Sequence, residues 1–87
     1  VVMVKPQFEV GRAALPAGGV VRDPALRRDA VLAVGQAAET LGFGVCGVAA
    51  SPLPGPAGNV EYFLWLRRGA PPLDRAAVDR AIEEGPA

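Results

Sequence analysis

Two charged residues, Lys5 and Glu61, occupy positions from which they can support proton transfer. Lys5 directly follows a β-branched apolar run, and Glu61 lies near the start of a second apolar run that continues Tyr-Phe-Leu-Trp-Leu. If the second run is antiparallel to the first, the start of one strand and the end of the other share one sheet edge, where sites collect in open α/β sheets. Periodicity alone favours a structural ion pair and leaves a catalytic pair open.

Four arginines form a second charged group, on one loop and the helix start that follows it: Arg12, Arg22, Arg27 and Arg28. Cations at a helix N-terminus oppose the helix dipole, so their presence there needs a reason. A phosphate partner would supply that reason. A solvated charge group is the simpler interpretation.

Two loops are expected beside the Lys5–Glu61 pair. One is the Gly-rich stretch after Phe8, and the other is the Pro-rich stretch that ends at Asn59. Stiff loops present backbone groups to a ligand at little ordering cost. Plain chain reversal explains the same composition.

The elements that must position these residues follow from the apolar pattern. A capped helix is expected from Asp23-Pro24 to Leu41, where Gly42 ends it, and a short final helix from Asp74 to about Glu84. Three strands are expected over residues 1–4, 44–50 and 60–66, with residues 7–22 as a long loop. The first strand, the helix and the second strand can form a right-handed βαβ crossover, and the third strand should pair antiparallel with a neighbour. This is an α/β fold of order β-α-β-β plus a terminal helix.

The strand faces give further expectations about burial. All three strands are apolar on both faces, so they should be covered, although two helices cannot cover both faces of a sheet. Tyr62, Phe63 and Trp65 are interpreted as core rather than as stacking platforms. Cys46 is interpreted as an inert core thiol. Gly35 lies inside a predicted helix at a cost of about 1 kcal/mol against alanine, which a close packing contact would explain.

Composition excludes several classes of protein. The chain has 87 residues, nine Lys and Arg against nine Asp and Glu, no histidine and one cysteine. The charge balance argues against a generally basic nucleic-acid binder. The missing residue types exclude a histidine triad, an internal disulfide and a Cys-rich zinc site, and a reduced, cytosolic setting fits. There is no Gly-x-Gly-x-x-Gly turn, no P-loop and no apolar run near the ~20 residues of a membrane span.

Three stretches resemble the TlyA family of ribosomal RNA 2′-O-methyltransferases, which is related to the FtsJ group and often labelled hemolysin. They are Val-Lys-Pro-Gln-Phe-Glu at 4–9, Gly-Gly-Val-Val-Arg-Asp-Pro at 18–24 and the long match at 51–66. The resemblance implies a Rossmann-like, S-adenosyl-L-methionine-dependent fold with a Lys-Asp-Lys-Glu tetrad. Its second lysine matches Lys5 and its glutamate matches Glu61. Residues 1–70 would be the C-terminal portion of the methyltransferase domain, with residues 71–87 as a helical tail.

The resemblance also sets the expected function and partners. The substrate would be ribosomal RNA or a ribosomal subunit, with no membrane or metal involved, and Arg12, Arg22 and Asn59 would approach the RNA. The rest of the tetrad and most of the cofactor site would lie in an absent upstream part, so the fold is incomplete as it stands and the isolated chain should be inactive. The alternative is a non-catalytic α/β module that binds RNA or a partner protein.

Overall fold

A computed structural model describes residues 1–9, 20–53 and 58–86. Its elements, in chain order, are the strand β1 (Val2–Val4), the one-turn helix α1 (Pro6–Glu9), the helix α2 (Pro24–Thr40), the strands β2 (Phe43–Ala50) and β3 (Tyr62–Arg68), and the helix α3 (Arg75–Glu84). Among these described elements, no helix has the length and apolar character needed to cross a membrane. The α/β class and the two main helices are as the sequence predicts.

The three strands form one sheet in the order β1-β3-β2. Strand β3 pairs antiparallel with both neighbours, which confirms the expected antiparallel pairing. The crossover from β1 through α2 to β2 therefore joins two strands that run the same way without pairing, because β3 lies between them. Val4 and Ala50 both lie opposite Tyr62. Tyr62 therefore lies between the last residues of β1 and β2, at one end of the sheet.

Helix α2 begins and ends where the sequence signals predict. The Asp23 side chain accepts a hydrogen bond from the Ala25 amide, and Pro24 occupies the first helical position. Gly42 follows the last turn with a φ of 89°, a conformation that glycine adopts without strain. A Cβ on Gly35 would lie 2.7 Å from Leu73 Cδ2, so the close packing expected at this glycine is confirmed.

The helices cover one face of the sheet only. On that face Val4, Tyr62 and Leu64 are fully buried against Val31 of α2 and Val78 of α3. The other face carries the exposed side chains of Met3 and Trp65 and the half-buried side chain of Phe63, which pairs with Met3 in the sheet. We call this set the open face.

Two burial predictions are wrong because of the open face. The strands are not covered on both sides, and Trp65 is 43% exposed rather than core, because alternation directs it to the side that no described helix covers.

Cys46 is exposed, so its predicted burial is also wrong. A register shift between Val45 and Gly47 leaves Cys46 without a partner residue on β3, so it does not share the pattern of its neighbours.

The expected long loop after β1 begins instead as helix α1. Pro6 pre-sets the backbone for a helical turn, and the amides of Phe8 and Glu9 both donate to the Lys5 carbonyl. Helix α1 has only four residues, which is too short for a helical period of apolar residues to reveal it in the sequence. Residues 10–19 lie outside the described residues.

Candidate active site

Lys5 and Glu61 meet at the sheet edge, as the strand directions predict. The register places Val4 opposite Tyr62, so the next positions outward are Lys5, directly after β1, and Glu61, directly before β3. Lys5 Nζ lies 3.5 Å from Glu61 Oε2. The Lys5 side chain is 38% exposed while that of Glu61 is 10% exposed. An anchored carboxylate therefore lies against a lysine amino group that solvent or a ligand can reach.

Gln7 is a third member of the site that sequence reasoning missed. Its Nε2 donates to Glu61 Oε2 at 3.3 Å, so the carboxylate oxygen that contacts Lys5 also accepts from Gln7. Gln7 Oε1 is buried and finds no hydrogen-bond partner in the described part of the chain. The signal for Gln7 was its place in a Lys-Pro-Gln turn directly after a strand. That place in the sequence does not by itself predict the contact, because the contact depends on helix α1, which directs the Gln7 side chain towards Glu61.

The backbone of Glu61 is fixed from the opposite side. Its carbonyl accepts from the buried Ser51 amide at 2.7 Å, which ties the start of β3 to the residue just after β2. The Ser51 hydroxyl and the Leu53 backbone contact each other at 3.3 Å in the turn that follows. Glu61 is thus held at its backbone by one strand end and at its side chain by another.

Phe8 borders this polar pair on the solvent side. Its ring is 73% exposed, and Lys5 Nζ lies 5.9 Å from the ring centroid. The described site edge therefore combines a cation, a carboxylate, a carboxamide and an exposed aromatic ring.

Asn59 has a positioning role in this structure. It is 2% exposed, and its Oδ1 accepts from the Val21 amide at 2.9 Å. Arg27 Nε donates to the Val21 carbonyl at 3.0 Å, so both polar groups of Val21 are held by side chains. Arg22 follows immediately and is exposed. Direct RNA contact by Asn59 or Arg22 stays a prediction.

The arginines of this group that the structure describes line one cavity but differ in exposure, since Arg22 and Arg28 are exposed and Arg27 is buried. Arg27 is 4% exposed and also donates to the Pro86 carbonyl at 3.3 Å, so the interpretation of this residue as a solvated charge is wrong, and its burial gives the phosphate alternative no support. The Arg27 side chain is buried because it donates hydrogen bonds to two backbone carbonyl oxygens. Arg28 is half-exposed and lies 4.0 Å from both Asp29 and Asp79. Arg12 lies outside the described residues.

Tyr62 lies beneath the site with its hydroxyl buried. Burial raises the pKa of the Tyr62 hydroxyl above its usual 10.0, while the nearby Arg27 guanidinium opposes that shift. Among the described residues the hydroxyl has no hydrogen-bond partner of good geometry. Tyr62 is therefore a neutral core residue and takes no part in proton transfer at the site.

Within residues 1–9, 20–53 and 58–86, neither a metal-binding group nor a Gly-rich nucleotide turn after β1 is found. Among the described residues, no group of three His, Cys, Asp or Glu side chains lies close enough to hold a metal ion. The turn that follows β1 is Lys5-Pro6-Gln7 and not a Gly-rich turn of the kind that cradles a nucleotide.

Comparison with known proteins gives a consistent result. Residues 1–68 match the family of FtsJ-like methyltransferases. The chain is 58% identical, over 97% of its length, to the 16S/23S rRNA (cytidine-2′-O)-methyltransferase TlyA of Mycobacterium tuberculosis. It is 36% identical, over 94% of its length, to a Bacillus subtilis protein named "Putative rRNA methyltransferase YqxC". It spans about a third of the length of these curated relatives.

Two solved structures share the fold. One is described as a "Putative hemolysin from Streptococcus thermophilus", with a TM-score of 0.83, 31% identity, and coverage of 94% of this chain and 30% of that one. The other is described as a hemolysin of the same kind from Lactococcus lactis, with a TM-score of 0.81, 32% identity, and coverage of 94% of this chain and 40% of that one. The match is consistent with this α/β unit being a portion of a larger Rossmann-like fold.

Proposed function

Because the chain belongs to the FtsJ-like methyltransferase family, we propose that it forms part of an enzyme that methylates a ribose 2′-hydroxyl of ribosomal RNA. The relatives named for rRNA methylation support the substrate class. The observation that carries the proposal within this chain is the contact of 3.5 Å between Lys5 Nζ and Glu61 Oε2 at an accessible sheet edge.

Lys5 is the proposed acceptor of the hydroxyl proton. When the ribose oxygen bonds to the transferred methyl carbon, the bond between that carbon and the methyl donor breaks. The O–H bond of the ribose breaks as well, and its proton passes to Lys5 Nζ, which must be unprotonated to accept it. The ammonium group that results faces the Glu61 carboxylate, which stabilises it by a charge-assisted contact. The partial exposure of the Lys5 side chain leaves room for a ribose to approach.

Glu61 and Gln7 are proposed to keep Lys5 in line. The Glu61 carboxylate accepts from Gln7 through the same oxygen that contacts Lys5, and the Glu61 carbonyl is tied to Ser51. A base held in position lowers the entropic part of the barrier, because a small displacement of a reacting group is costly. Both residues therefore serve positioning.

The family implies S-adenosyl-L-methionine as methyl donor, and the residues described here do not fit that group. The described residues provide the Lys5–Glu61 pair, and none of the described turns is a Gly-rich strand-to-helix turn of the kind that cradles a nucleoside. We therefore assign only the handling of the hydroxyl proton to this chain. The isolated 87 residues are proposed not to bind the cofactor tightly and not to methylate RNA.

The test is substitution of the pair in the full-length enzyme. Lys5→Met is expected to lower kcat for methyl transfer to rRNA by about 10²- to 10⁴-fold, the range for loss of a general base. Glu61→Gln is expected to lower kcat by about 10²-fold, the effect of misplacing a reacting group. Binding of RNA should change little, and thermal unfolding should stay near that of the parent protein because the pair lies at the sheet edge.

Arg67→Met is the matched control, since it also removes a cation but at the far end of β3. It is expected to leave turnover unchanged. Near-normal turnover of Lys5→Met would show that Lys5 and Glu61 form a structural ion pair, and the catalytic assignment would be wrong.

A further inference from the structure

Helix α1 places its side chains in an unusual order. It buries Pro6 and turns the polar end of Gln7 inward to Glu61, yet leaves the Phe8 ring 73% exposed. Burying a phenylalanine side chain stabilises a fold through the hydrophobic effect, and this turn does not gain that stabilisation. A single exposed ring is common on protein surfaces, so its location decides what it means.

The ring lies directly beside the proposed catalytic lysine. Phe8 is one helical turn after Lys5, with the Phe8 amide donating to the Lys5 carbonyl at 2.9 Å. The 5.9 Å between Lys5 Nζ and the ring centroid is close to the ~6 Å limit for a cation–π interaction. That contact is therefore weak, and it does not account for keeping the ring in solvent.

We propose that Phe8 is a stacking platform for the base of the nucleotide whose 2′-hydroxyl Lys5 deprotonates; this inference rests on the proposed function. A nucleobase is attached to the ribose carbon next to the one that bears the reacting hydroxyl. A protein that holds that hydroxyl at Lys5 must therefore place the base within a few ångströms of it. Phe8 is the exposed aromatic ring at that distance. Unpaired RNA bases are commonly held by stacking on such rings.

The experiment uses the full-length enzyme with Phe8→Ala, Phe8→Leu and Phe8→Trp. Stacking needs a flat ring, so Phe8→Ala and Phe8→Leu are expected to lower kcat/KM for the RNA by about 5- to 100-fold, the range for loss of one stacked base. Phe8→Trp should retain most of the activity. Leu41→Ala is the matched control, because Leu41 is 72% exposed but lies at the opposite end of the sheet.

An RNA whose target nucleotide lacks its base separates stacking from other roles. It keeps the 2′-hydroxyl, so Lys5 can still act. The parent enzyme should lose activity on this RNA, and Phe8→Ala should lose nothing further, because the platform has no base to hold. The two enzymes should therefore become equal.

Four outcomes would overturn the inference. Full activity of Phe8→Leu would show that Phe8 only excludes water. An equal loss for Phe8→Ala on intact and abasic RNA would show that Phe8 acts through Lys5. A parent enzyme without methyltransferase activity would overturn the proposed function as well, whereas an active parent with an unaffected Phe8→Ala variant would overturn this inference alone.

Discussion

The hydroxyl of Tyr62 links protonation to stability at high pH. Burial raises its pKa above 10.0 in the folded chain, so the unfolded chain loses this proton first as the pH rises. The contribution of neutral Tyr62 to stability is therefore complete below about pH 10 and is lost as the pH rises from there towards the folded-state pKa. Tyr62→Phe should remove this part of the pH dependence.

Urea unfolding at pH 8 and pH 10.5 checks this expectation. At pH 8 Tyr62→Phe should be close to neutral, because the buried hydroxyl has no partner of good geometry among the described residues. At pH 10.5 the variant should be the more stable protein. Tyr62 is the single tyrosine of the chain, so no second phenol contributes. A loss above about 1 kcal/mol at pH 8 would instead show that the hydroxyl makes a hydrogen bond.

At the residue scale, side-chain contacts that follow from strand direction could be predicted from the sequence, whereas contacts that depend on a local turn could not. Lys5 and Glu61 could be paired because strand ends and an antiparallel third strand fix which edge they share. Gln7 could not be added, since its contact with Glu61 depends on the turn of α1. Arg27 was misjudged for a similar reason: its inward course depends on carbonyls of Val21 and Pro86, 6 and 59 residues away along the chain.

Strand β2 contains two glycines that differ in what surrounds them. A Cβ on Gly44 would lie within 2 Å of the Ala70 carbonyl oxygen, which belongs to the backbone and cannot move aside. A Cβ on Gly47 would make an ordinary contact of 3.5 Å with the Trp65 ring. The Val45 amide donates to the Pro71 carbonyl, so this close approach is part of how the chain leaves β3 and reaches α3.

Gly44→Ala and Gly47→Ala therefore form a matched pair for thermal unfolding. Gly44→Ala should destabilise the protein by at least about 2–3 kcal/mol, as for other severe overpacking. Gly47→Ala should be neutral or slightly stabilising, because an alanine loses less backbone freedom on folding than a glycine. Equal effects of the two changes would show that strand propensity, and not the backbone contact at Gly44, sets the outcome.

At the element scale, prediction succeeded where capping and periodicity act locally. Helices α2 and α3 follow from Asp23, Asp74 and their apolar stripes. The strand order β1-β3-β2 could not be predicted, because an apolar run indicates a strand but does not indicate which strand it will pair with. Cys46 was misplaced because a register shift interrupts the alternation on which its predicted burial depended.

For the whole molecule, the open face has consequences for association. Met3 and Trp65 are 45% and 43% exposed, and the Phe63 and Trp65 rings lie 6.5 Å apart. Contiguous apolar surface of this kind favours association. We expect the isolated chain to self-associate as its concentration rises, and the double variant Met3→Ser, Trp65→Ser to stay monomeric.

Sedimentation velocity over a concentration series measures this directly. Leu41→Ser is the control, because it removes an apolar side chain that is 72% exposed and does not belong to the open face. Self-association that persists in the double variant would assign the contact to another surface. A parent chain that stays monomeric throughout would show that three side chains are too few to drive it.

The position of β3 in the sheet also governs when the site can exist. A ribosome delivers β1 first and β2 second, yet these strands have no hydrogen bonds to each other, because their common partner is made last. Until β3 inserts between them, Lys5 has no Glu61 beside it, and neither of the two strand pairings described here can form. Pairings between distant parts of a chain form slowly. The Lys5–Glu61 pair is therefore completed late in synthesis and folding, and a nascent chain that stops before Val60 carries Lys5 and Gln7 without the carboxylate that they contact.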